Sequence, residues 1–225
     1  YKSLNCGFGS KDKRINIKKN LKIVKNKICK KSKEIFLVKQ FHSNKFIYLN
    51  KDSKINNRRI EADAIITDKK KFPIAVLTAD CVPILIFDNN RKMIAAIHAG
   101  WKGAYKGIIP KVINFMISKG CNCKNMIVAI GPSIAMKNYE VKSKFRNMFI
   151  KKNKKNFIFF TYKKDEIYFN LPNYVKTQVK LSKIKNIDIL NIDTFNKKNN
   201  FFSARRSLKL KHDDYGRNIS IIMIN

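Results

Sequence analysis

Three residues of the sequence, His42, Cys81 and His98, have the side-chain chemistry of a transition-metal site. Each lies beside an apolar run, so each is expected where a strand gives way to a loop. Two imidazoles and one thiolate are good zinc ligands, and three protein ligands are typical of catalytic sites that keep one position open. A single buried His or Cys is also an ordinary core residue, so the residue types alone leave both interpretations open.

The spacing of these residues argues against a zinc finger. Cys81 lies 39 residues after His42, and His98 lies 17 residues after Cys81. Intervals of this length match no compact zinc ribbon, so a bound metal would join separate strands. Asp80, next to Cys81, is a candidate for orienting a ligand histidine or for proton transfer. It could equally cap backbone N–H groups at a strand end.

Further polar residues give weaker signals. His212 lies in a polar segment and is expected at the surface. Cys121 and Cys123 form a C-x-C pair beside a predicted helix end, and we expect loop thiols there rather than ligands. Trp101 could stack on a purine, or it could pack against the helix that begins there.

The elements that would position these residues follow from hydrophobic periodicity. Apolar runs alternate with helix-period stretches, which is typical of an α/β domain. We predict strands over residues 35–38, 64–67, 74–77, 82–87, 93–97, 126–130, 187–192 and 219–224. We predict helices over residues 102–119, 141–150 and 170–181, the last capped by Asn170, and a hairpin over residues 156–170. The polar stretch 51–59 is predicted to be a loop. The closely spaced strands between residues 64 and 97 are predicted to pair with their neighbours in one sheet.

The composition bounds the class of protein. A hydrophobic fraction of 44% predicts a folded globule despite the net charge of +34. Because the lysines are spread over nearly the whole length without interleaved aromatic residues, we interpret them as a solvated surface rather than a dedicated nucleic-acid face. Such a surface would still steer anionic substrates toward the protein.

Cellular location also follows from composition. No apolar run reaches the ~18 residues that span a bilayer, and no signal-peptide pattern is present, so we expect no membrane segment and a cytoplasmic protein. Five cysteines without a framework spacing, Cys29 among them, predict free thiols rather than disulfides. Because the chain begins with Tyr1 rather than Met, we expect an N-terminal segment to be missing from a single domain of residues 1–225.

Several motifs, in order along the chain, resemble one known family. They are Lys39-Gln40-Phe41-His42, Ala62-Asp63-Ala64-Ile65-Ile66-Thr67, Thr78-Ala79-Asp80-Cys81-Val82-Pro83-Ile84 and His98-Ala99-Gly100-Trp101-Lys102-Gly103. Further similarity is found in Ser3-Leu4-Asn5, Gly131-Pro132-Ser133-Ile134, Tyr139-Glu140-Val141, Phe201 to Arg206 and Asp214-Tyr215-Gly216-Arg217. The sequence is thus similar to the YfiH-like laccase-domain family, whose members have been called polyphenol oxidases and purine nucleoside phosphorylases.

The resemblance implies a fold and a site. The fold would be a single α/β domain with mixed sheets flanked by helices, like the catalytic domains of cysteine-dependent toxins. His42, Cys81 and His98 would bind one zinc ion and be catalytic together with Asp80. By motif position, Gln40, Arg205 and Asn20 would contact substrate. The sequence departs from the common family pattern at Lys102, Leu21 and Ala204, near these contacts.

The resemblance also implies an activity. Family members carry out phosphorolysis of adenosine, inosine, guanosine and methylthioadenosine, and hydrolytic deamination of adenosine. The expected partners are therefore purine nucleosides and phosphate. Three different functions stay open: a copper-dependent polyphenol oxidase, a hydrolase with Cys81 as nucleophile and His98 as base, and a basic nucleic-acid-binding module. The three histidines are few for multicopper chemistry.

Overall fold

The strands that carry the site belong to a six-stranded mixed sheet. A computed structural model describes residues 1, 3–28, 34–53 and 60–225. Its strands are β1 (Phe46–Leu49), β2 (Ala64–Thr67), β4 (Val82–Asp88), β5 (Met93–Ala99), β6 (Met126–Ile130) and β10 (Asn186–Ile189). The sheet has the order β1-β2-β5-β4-β6-β10, in which the β1–β2 and β6–β10 pairs are parallel and the others antiparallel.

Two smaller sheets complete the β structure. In one, β3 (Ile74–Thr78) pairs antiparallel with β11 (Asn218–Ile222). In the other, the order is β7-β9-β8, formed by Glu140–Val141, Glu166–Phe169 and Phe160–Lys163 respectively. The helices are α1 (Arg14–Ile28), α2 (Trp101–Tyr105), α3 (Ile108–Ser118), α4 (Ser143–Lys152), α5 (Leu171–Leu181) and α6 (Ala204–Lys209). The predicted α/β architecture with mixed sheets and flanking helices is confirmed.

Strand alternation decides which face of the main sheet each side chain occupies. In β5, Met93, Ala95 and Ile97 pack in the larger core cluster with α3 and α5, whereas Ile94 and Ala96 pack in the second cluster with β3. Successive side chains of a strand point to opposite faces, so His98 shares the face of Ile94 and Ala96. His98 therefore points toward the side of the sheet on which β3 and β11 lie.

The same alternation places Cys81. β4 lies antiparallel to β5, with Val82 opposite Ala99 and Pro83 opposite His98. Because Val82 packs in the larger cluster, the residue before it belongs to the opposite face, the one that His98 shares. The chain leaves β3 at Thr78 and enters β4 at Val82, so Cys81 lies at the corner between the two sheets.

Several element predictions are confirmed and others are wrong. The strand over 126–130 and the helix capped by Asn170, whose side chain accepts from the Asn173 N–H, agree with prediction. The predicted strand over 35–38 is wrong, because Phe36 forms only an isolated bridge with Ile74. The predicted helix over 102–119 is two helices, α2 and α3, because Gly107 between them has a φ of 79°.

The predicted pairing of neighbouring strands is also only partly right. β4 and β5 do form a hairpin, but β3 leaves the main sheet to pair with β11, and β2 pairs with β5 instead. Four of these helices and strands, α1, β1, β7 and α6, have no counterpart among the predicted ones. In α1 only Ile17 and Val24 are buried, so its apolar face is too narrow to give a clear helical period.

Two predictions concern residues that the structure does not describe. Part of the predicted loop 51–59, namely 54–59, and the predicted free thiol of Cys29 lie outside the described residues. Within the described residues, Cys6, Cys81, Cys121 and Cys123 are free thiols, as predicted. Across the same residues, none of the helices combines the length and the apolar character that crossing a bilayer would require.

Candidate metal centre

Asp63 is the buried carboxylate around which the site is organised. It directly precedes β2, and its side chain is fully buried. Asp63 Oδ1 accepts a hydrogen bond from the His42 N–H at 3.0 Å, and Oδ2 accepts from the Ser43 N–H and hydroxyl, both at 2.6 Å. The Phe41 N–H also points to this carboxylate, at 3.2 Å. These bonds hold the loop that carries His42, whose φ of 62° lies in the left-handed region.

The same carboxylate orients the second histidine. The distance between His98 Nδ1 and Asp63 Oδ1 is 2.8 Å, and both side chains are buried. A hydrogen bond from Nδ1 leaves the lone pair of Nε2 for a metal, which is the usual way in which a carboxylate sets the tautomer of a ligand histidine. Although burial opposes ionisation, the hydrogen bonds from His98 and Ser43 lower the pKa of Asp63 to about 2. Asp63 is therefore a stable anion behind both histidines.

Gln40 joins the His42 loop to the strand that leads to Cys81. Its Nε2 donates to the Leu77 carbonyl at 2.7 Å, and its Oε1 accepts from the Leu77 N–H at 2.8 Å. The side-chain amide thus pairs with β3 as a neighbouring strand would. Both polar groups of Gln40 are used in this way, so Gln40 holds the His42 loop against β3, and its predicted contact with substrate stays a prediction.

Asp80 anchors the corner on which Cys81 lies. Its φ is 84°, a left-handed value that a tight turn between two sheets imposes. Asp80 Oδ1 accepts from the Thr194 hydroxyl at 2.7 Å, and Oδ2 accepts from the Arg205 N–H at 2.6 Å. The carboxylate that contacts a ligand histidine is thus Asp63, whereas Asp80 ties the Cys81 corner to the first turn of α6.

The three predicted ligands meet at one point. One ligand atom of each of His42, Cys81 and His98 lies within 4.8 Å of the other two. Cys81 Sγ is 3.5 Å from His42 Nε2. Tetrahedral zinc with Zn–N of about 2.0–2.1 Å and Zn–S of about 2.3 Å would hold a nitrogen and a sulfur about 3.5 Å apart. The donor set and its spacing therefore fit a single zinc ion.

Gly100 makes room for this cluster. A Cβ at Gly100 would lie 2.5 Å from His42 Cδ2 and 2.9 Å from Cys81 Sγ, distances that real Cβ atoms essentially never show. Gly100 directly follows β5 and precedes α2, so the chain turns against the two ligands at this point. Only a residue without a side chain can stand there while His42 and Cys81 keep their positions.

Cys81 and His98 also shift the pKa of each other. Burial would raise the pKa of Cys81, but the positive charge of protonated His98 and the hydrogen bond with His42 lower it. Burial likewise disfavours protonation of His98, yet the Cys81 thiolate and Asp63 raise the pKa of His98. His98 is buried, Cys81 is half-buried and His42 is exposed, so the cluster opens to solvent on the His42 side.

Arg205 and Tyr139 lie on the Cys81 side of the site. The Arg205 guanidinium carbon is 5.2 Å from the centre of the Tyr139 ring, and its Nη1 donates to the Glu140 carbonyl at 3.0 Å. Burial raises the pKa of Tyr139, and the charges of Cys81 and Asp80 add to this effect. Tyr139 is thus close enough to Cys81 and Asp80 for their negative charges to change its pKa.

The other candidate residues make packing and hydrogen-bond contacts within the fold, and the predicted substrate contact of Asn20 stays a prediction. Asn20 Nδ2 donates to the Asn5 carbonyl at 2.8 Å, within a polar network of the N-terminal segment. Trp101 packs edge-on against Phe145 of α4, with ring centroids 5.0 Å apart. Cys121 is buried, with Sγ 3.7 Å from the Met93 sulfur. His212 is exposed, as predicted.

Sequence reasoning misses two residues of the site, Asp63 and Gly100. Both stand inside the motifs that carry the family resemblance, yet the sequence alone assigns neither of them a role. The signal for Asp63 is a lone carboxylate in the otherwise apolar stretch Ala62 to Ile66, where a buried charge requires several hydrogen-bond partners. The signal for Gly100 is a glycine at a strand-to-helix junction directly after a ligand strand.

The chain is similar in sequence to known proteins over most of its length. Residues 1–225 match the family described as multi-copper polyphenol oxidoreductase laccase. A purine nucleoside phosphorylase of Rickettsia conorii (strain ATCC VR-613 / Malish 7) is 35% identical over 230 residues, covering 97% of this chain and 93% of its own. Another, of Rickettsia prowazekii (strain Madrid E), is 36% identical over 196 residues, covering 86% and 80%.

Solved structures share the fold. The hypothetical protein YfiH of Bacillus licheniformis superposes with a TM-score of 0.89 at 25% identity, covering 100% of this chain and 87% of that chain. YlmD of Geobacillus stearothermophilus gives a TM-score of 0.87 at 21% identity, covering 99% and 85%, and bears on the fold alone.

Proposed function

This chain belongs to the family described as multi-copper polyphenol oxidoreductase laccase, and from that premise we propose that it is a zinc-dependent purine nucleoside phosphorylase that also deaminates adenosine. The proposed substrates are phosphate with adenosine, inosine, guanosine or methylthioadenosine. Support comes from the relatives named purine nucleoside phosphorylase, one of which matches 97% of this chain. We further propose that residues 1–225 act as one domain in the cytoplasm.

The observation that carries the proposal is the three-ligand cluster with a carboxylate behind it. His42, Cys81 and His98 would hold the ion, with Asp63 fixing the tautomer of His98. Three ligands leave one position open, and the exposed His42 side provides access to it. Zinc held in this way supplies Lewis acidity toward an oxygen of the substrate or of water.

Polar groups beside the cluster would bind and orient the reactants. In phosphorolysis a phosphate oxygen bonds to the anomeric carbon of the ribose as the bond to the purine nitrogen breaks. Arg205 is the proposed phosphate contact, because its guanidinium carries five N–H donors and the Glu140 carbonyl uses one. Asp80 would hold Arg205 in place by accepting a hydrogen bond from the backbone N–H of Arg205. The overall positive charge would attract both phosphate and the anionic product.

The decisive experiment is an assay of the purified protein with adenosine and phosphate. Chromatography should detect adenine and ribose 1-phosphate from phosphorolysis, and inosine from deamination. Elemental analysis should find about one zinc per chain. The Cys81→Ala variant should lose both zinc and turnover, whereas Cys123→Ala, which removes a half-buried thiol outside the cluster, should keep both. A wild-type protein that turns over no nucleoside would contradict the proposal.

A second candidate, a thiol hydrolase, is favoured by one observation. Cys81, His98 and Asp63 form a thiol, imidazole and carboxylate series, and the interactions around Cys81 favour the thiolate. In that case Cys81 would be the nucleophile and His98 its base. Metal-free protein with full activity that is abolished by alkylation of Cys81 would favour this candidate, whereas activity that requires zinc would exclude it.

A copper oxidase and a nucleic-acid-binding module have weaker support. A copper-dependent polyphenol oxidase matches the family description, but the two histidines and one thiolate of the cluster are too few ligands for multicopper chemistry. A nucleic-acid-binding module would rest on the net charge of +34 alone. Copper content with phenol oxidation would favour the oxidase, and salt-sensitive RNA binding without nucleoside turnover would favour the binding module.

A further inference from the structure

The segment around the end of α4 is uniformly basic. Between residues 142 and 164 no Asp or Glu occurs. The basic residues of this interval are Lys142, Lys144, Arg146, Lys151, Lys152, Lys154, Lys155, Lys163 and Lys164. All of the lysines are exposed. Lys163 lies opposite Glu166 in the β8–β9 pair, but Lys151, Lys152, Lys154 and Lys155 lie in the middle of the interval, so the positive charge is concentrated there.

Two large apolar side chains protrude from the same segment. Phe157 is 60% exposed and Ile158 is 59% exposed, side by side in the 3-10 turn Lys154–Phe159 that follows α4. Single exposed apolar residues are common on protein surfaces, but an adjacent pair amid lysines is a different feature. We name Lys151, Lys152, Lys154, Lys155, Phe157 and Ile158 the basic-apolar face.

The turn that presents this pair is firmly anchored. Phe159 and Phe160, which follow directly, are only 3% and 9% exposed and pack in the larger core cluster. Asn156 Nδ2 donates to the Phe149 carbonyl of α4 at 2.8 Å, and the Asn153 side chain caps the turn by accepting from the Lys155 N–H. The protrusion of Phe157 and Ile158 is therefore imposed by the fold.

A shallow groove adjoins the face. Its volume is about 530 Å³, and it is lined by Tyr105, Lys144, Asn147, Met148, Lys151 and Lys152. The Lys152 ammonium contacts the Tyr105 carbonyl and ring, which leaves Lys144 and Lys151 to face an incoming anion. A groove with cationic walls beside two protruding apolar side chains suits a ligand that is anionic at its head and apolar beyond it.

We propose that the basic-apolar face docks the protein on membrane surfaces rich in anionic phospholipids. The lysines would lie at the level of the phosphate headgroups, with one headgroup in the groove, while Phe157 and Ile158 enter the boundary of the acyl chains. Charge complementarity and the aliphatic character of Ile158 favour this partner over a single-stranded nucleic acid. Ile158 has no π face for base stacking, so Phe157 is the single aromatic ring of the basic-apolar face, whereas a single strand stacks successive bases on several rings. This binding is independent of the proposed activity.

Vesicle binding can distinguish insertion of Phe157 and Ile158 into the membrane from attraction of the lysines to the headgroups alone. Wild-type protein should co-sediment with phosphatidylcholine vesicles that contain phosphatidylglycerol, and not with phosphatidylcholine alone, at an ionic strength of about 0.15 M. The double variant Phe157→Ser/Ile158→Ser changes no charge. It should bind the anionic vesicles about tenfold more weakly, because two apolar side chains no longer leave water.

A matched control is provided by another exposed pair. Leu208 and Leu210 are 63% and 59% exposed, but Asp213 and Asp214 follow them closely in sequence, so this pair lacks the unbroken positive charge of the basic-apolar face. The variant Leu208→Ser/Leu210→Ser should bind anionic vesicles like the wild type. Nucleoside turnover and thermal unfolding, measured on all three proteins, should be unchanged, which shows that each variant folds.

Four results would overturn the proposal. They are an absence of vesicle binding, equal binding of wild type and the Phe157/Ile158 variant, an equal loss in the Leu208/Leu210 variant, and binding to polyuridylate in place of vesicles.

Discussion

The regions around the two histidines of the candidate metal centre are built in opposite ways. His98 lies on β5, the strand at the middle of the core, and is buried with its ring held by a side-chain hydrogen bond to Asp63. His42 lies on an exposed loop, and the bond to Asp63 comes from its backbone N–H. One carboxylate thus fixes the ring of one histidine and the chain of the other. The His98 side is therefore part of the folded core, whereas the His42 side is an exposed loop on which the imidazole ring is placed by its contact with Cys81.

Removing the shared carboxylate should have the largest effect on this arrangement. Asp63→Asn keeps the shape but places an amide, with two N–H donors, where His98, His42 and Ser43 all donate. We expect a loss of about 2–4 kcal/mol in the free energy of unfolding, because buried donors lose a charged acceptor. Zinc affinity should fall by about 10–100-fold, since the ligand histidines lose their orientation. Chemical denaturation and zinc titration measure the two effects. If the Asp63→Asn variant bound zinc as tightly as the wild type, Asp63 would not be what orients the ligands.

The importance of Asp63 shows where sequence reasoning stops. The strand over 126–130 is predictable because an apolar run between polar segments specifies a buried strand without reference to partners. The meeting of His42, Cys81 and His98 is predictable only together with the family resemblance, because the residue types alone fit core residues equally well. In contrast, the role of Asp63 depends on which N–H groups the fold brings to it, and His98 is 35 residues away in sequence. Pairings of this kind are tertiary and leave no periodic signal.

The same limit explains the errors in the predicted fold. Strand β3 resembles its neighbours in sequence, yet it pairs with β11 from the end of the chain. Nothing local distinguishes a strand that stays in a sheet from one that leaves it. The break at Gly107 is visible in the sequence as a glycine, but the helical period continues across it, and the period alone predicts one helix.

The contrast between the two histidines can be tested by the same substitution at both. In metal-free protein, His98→Asn should lower the free energy of unfolding by about 2–4 kcal/mol, because it leaves a void and weakens the bond to a buried anion. His42→Asn should cost less than about 1 kcal/mol, because its ring is exposed and Asn tolerates the left-handed conformation. Both variants should lose zinc. Urea unfolding in the presence of a chelator measures both losses. If the two variants lost the same free energy of unfolding, the proposed difference between the His98 side and the His42 side would be wrong.

The close approach of Gly100 allows a sharper test of the His42 side. In Gly100→Ala the new methyl group would press on His42 Cδ2 and Cys81 Sγ, so the ligands must move apart. Because the His42 loop gives way more easily than β5, we expect about 1–3 kcal/mol lost in the free energy of unfolding, together with weaker zinc binding. Gly9→Ala is the control, since its Cβ would meet no atom within 4 Å. Calorimetry and zinc titration compare the two variants. If Gly100→Ala and Gly9→Ala had the same stability and zinc affinity, the close contact of Gly100 with His42 and Cys81 would be contradicted.

The smallest effect should come from Gln40, which supports the His42 loop from β3 without contacting a ligand atom. Gln40→Met keeps the length and removes both hydrogen bonds to Leu77, so the backbone N–H and C=O of Leu77 lose their side-chain partner. We expect about 1–2 kcal/mol lost in the free energy of unfolding and a smaller loss of zinc affinity than in Asp63→Asn. If Gln40 instead contacts substrate, the Michaelis constant for nucleoside would rise with stability unchanged. Steady-state kinetics beside urea unfolding therefore distinguishes the two roles, and the bidentate pairing with Leu77 favours the positioning role.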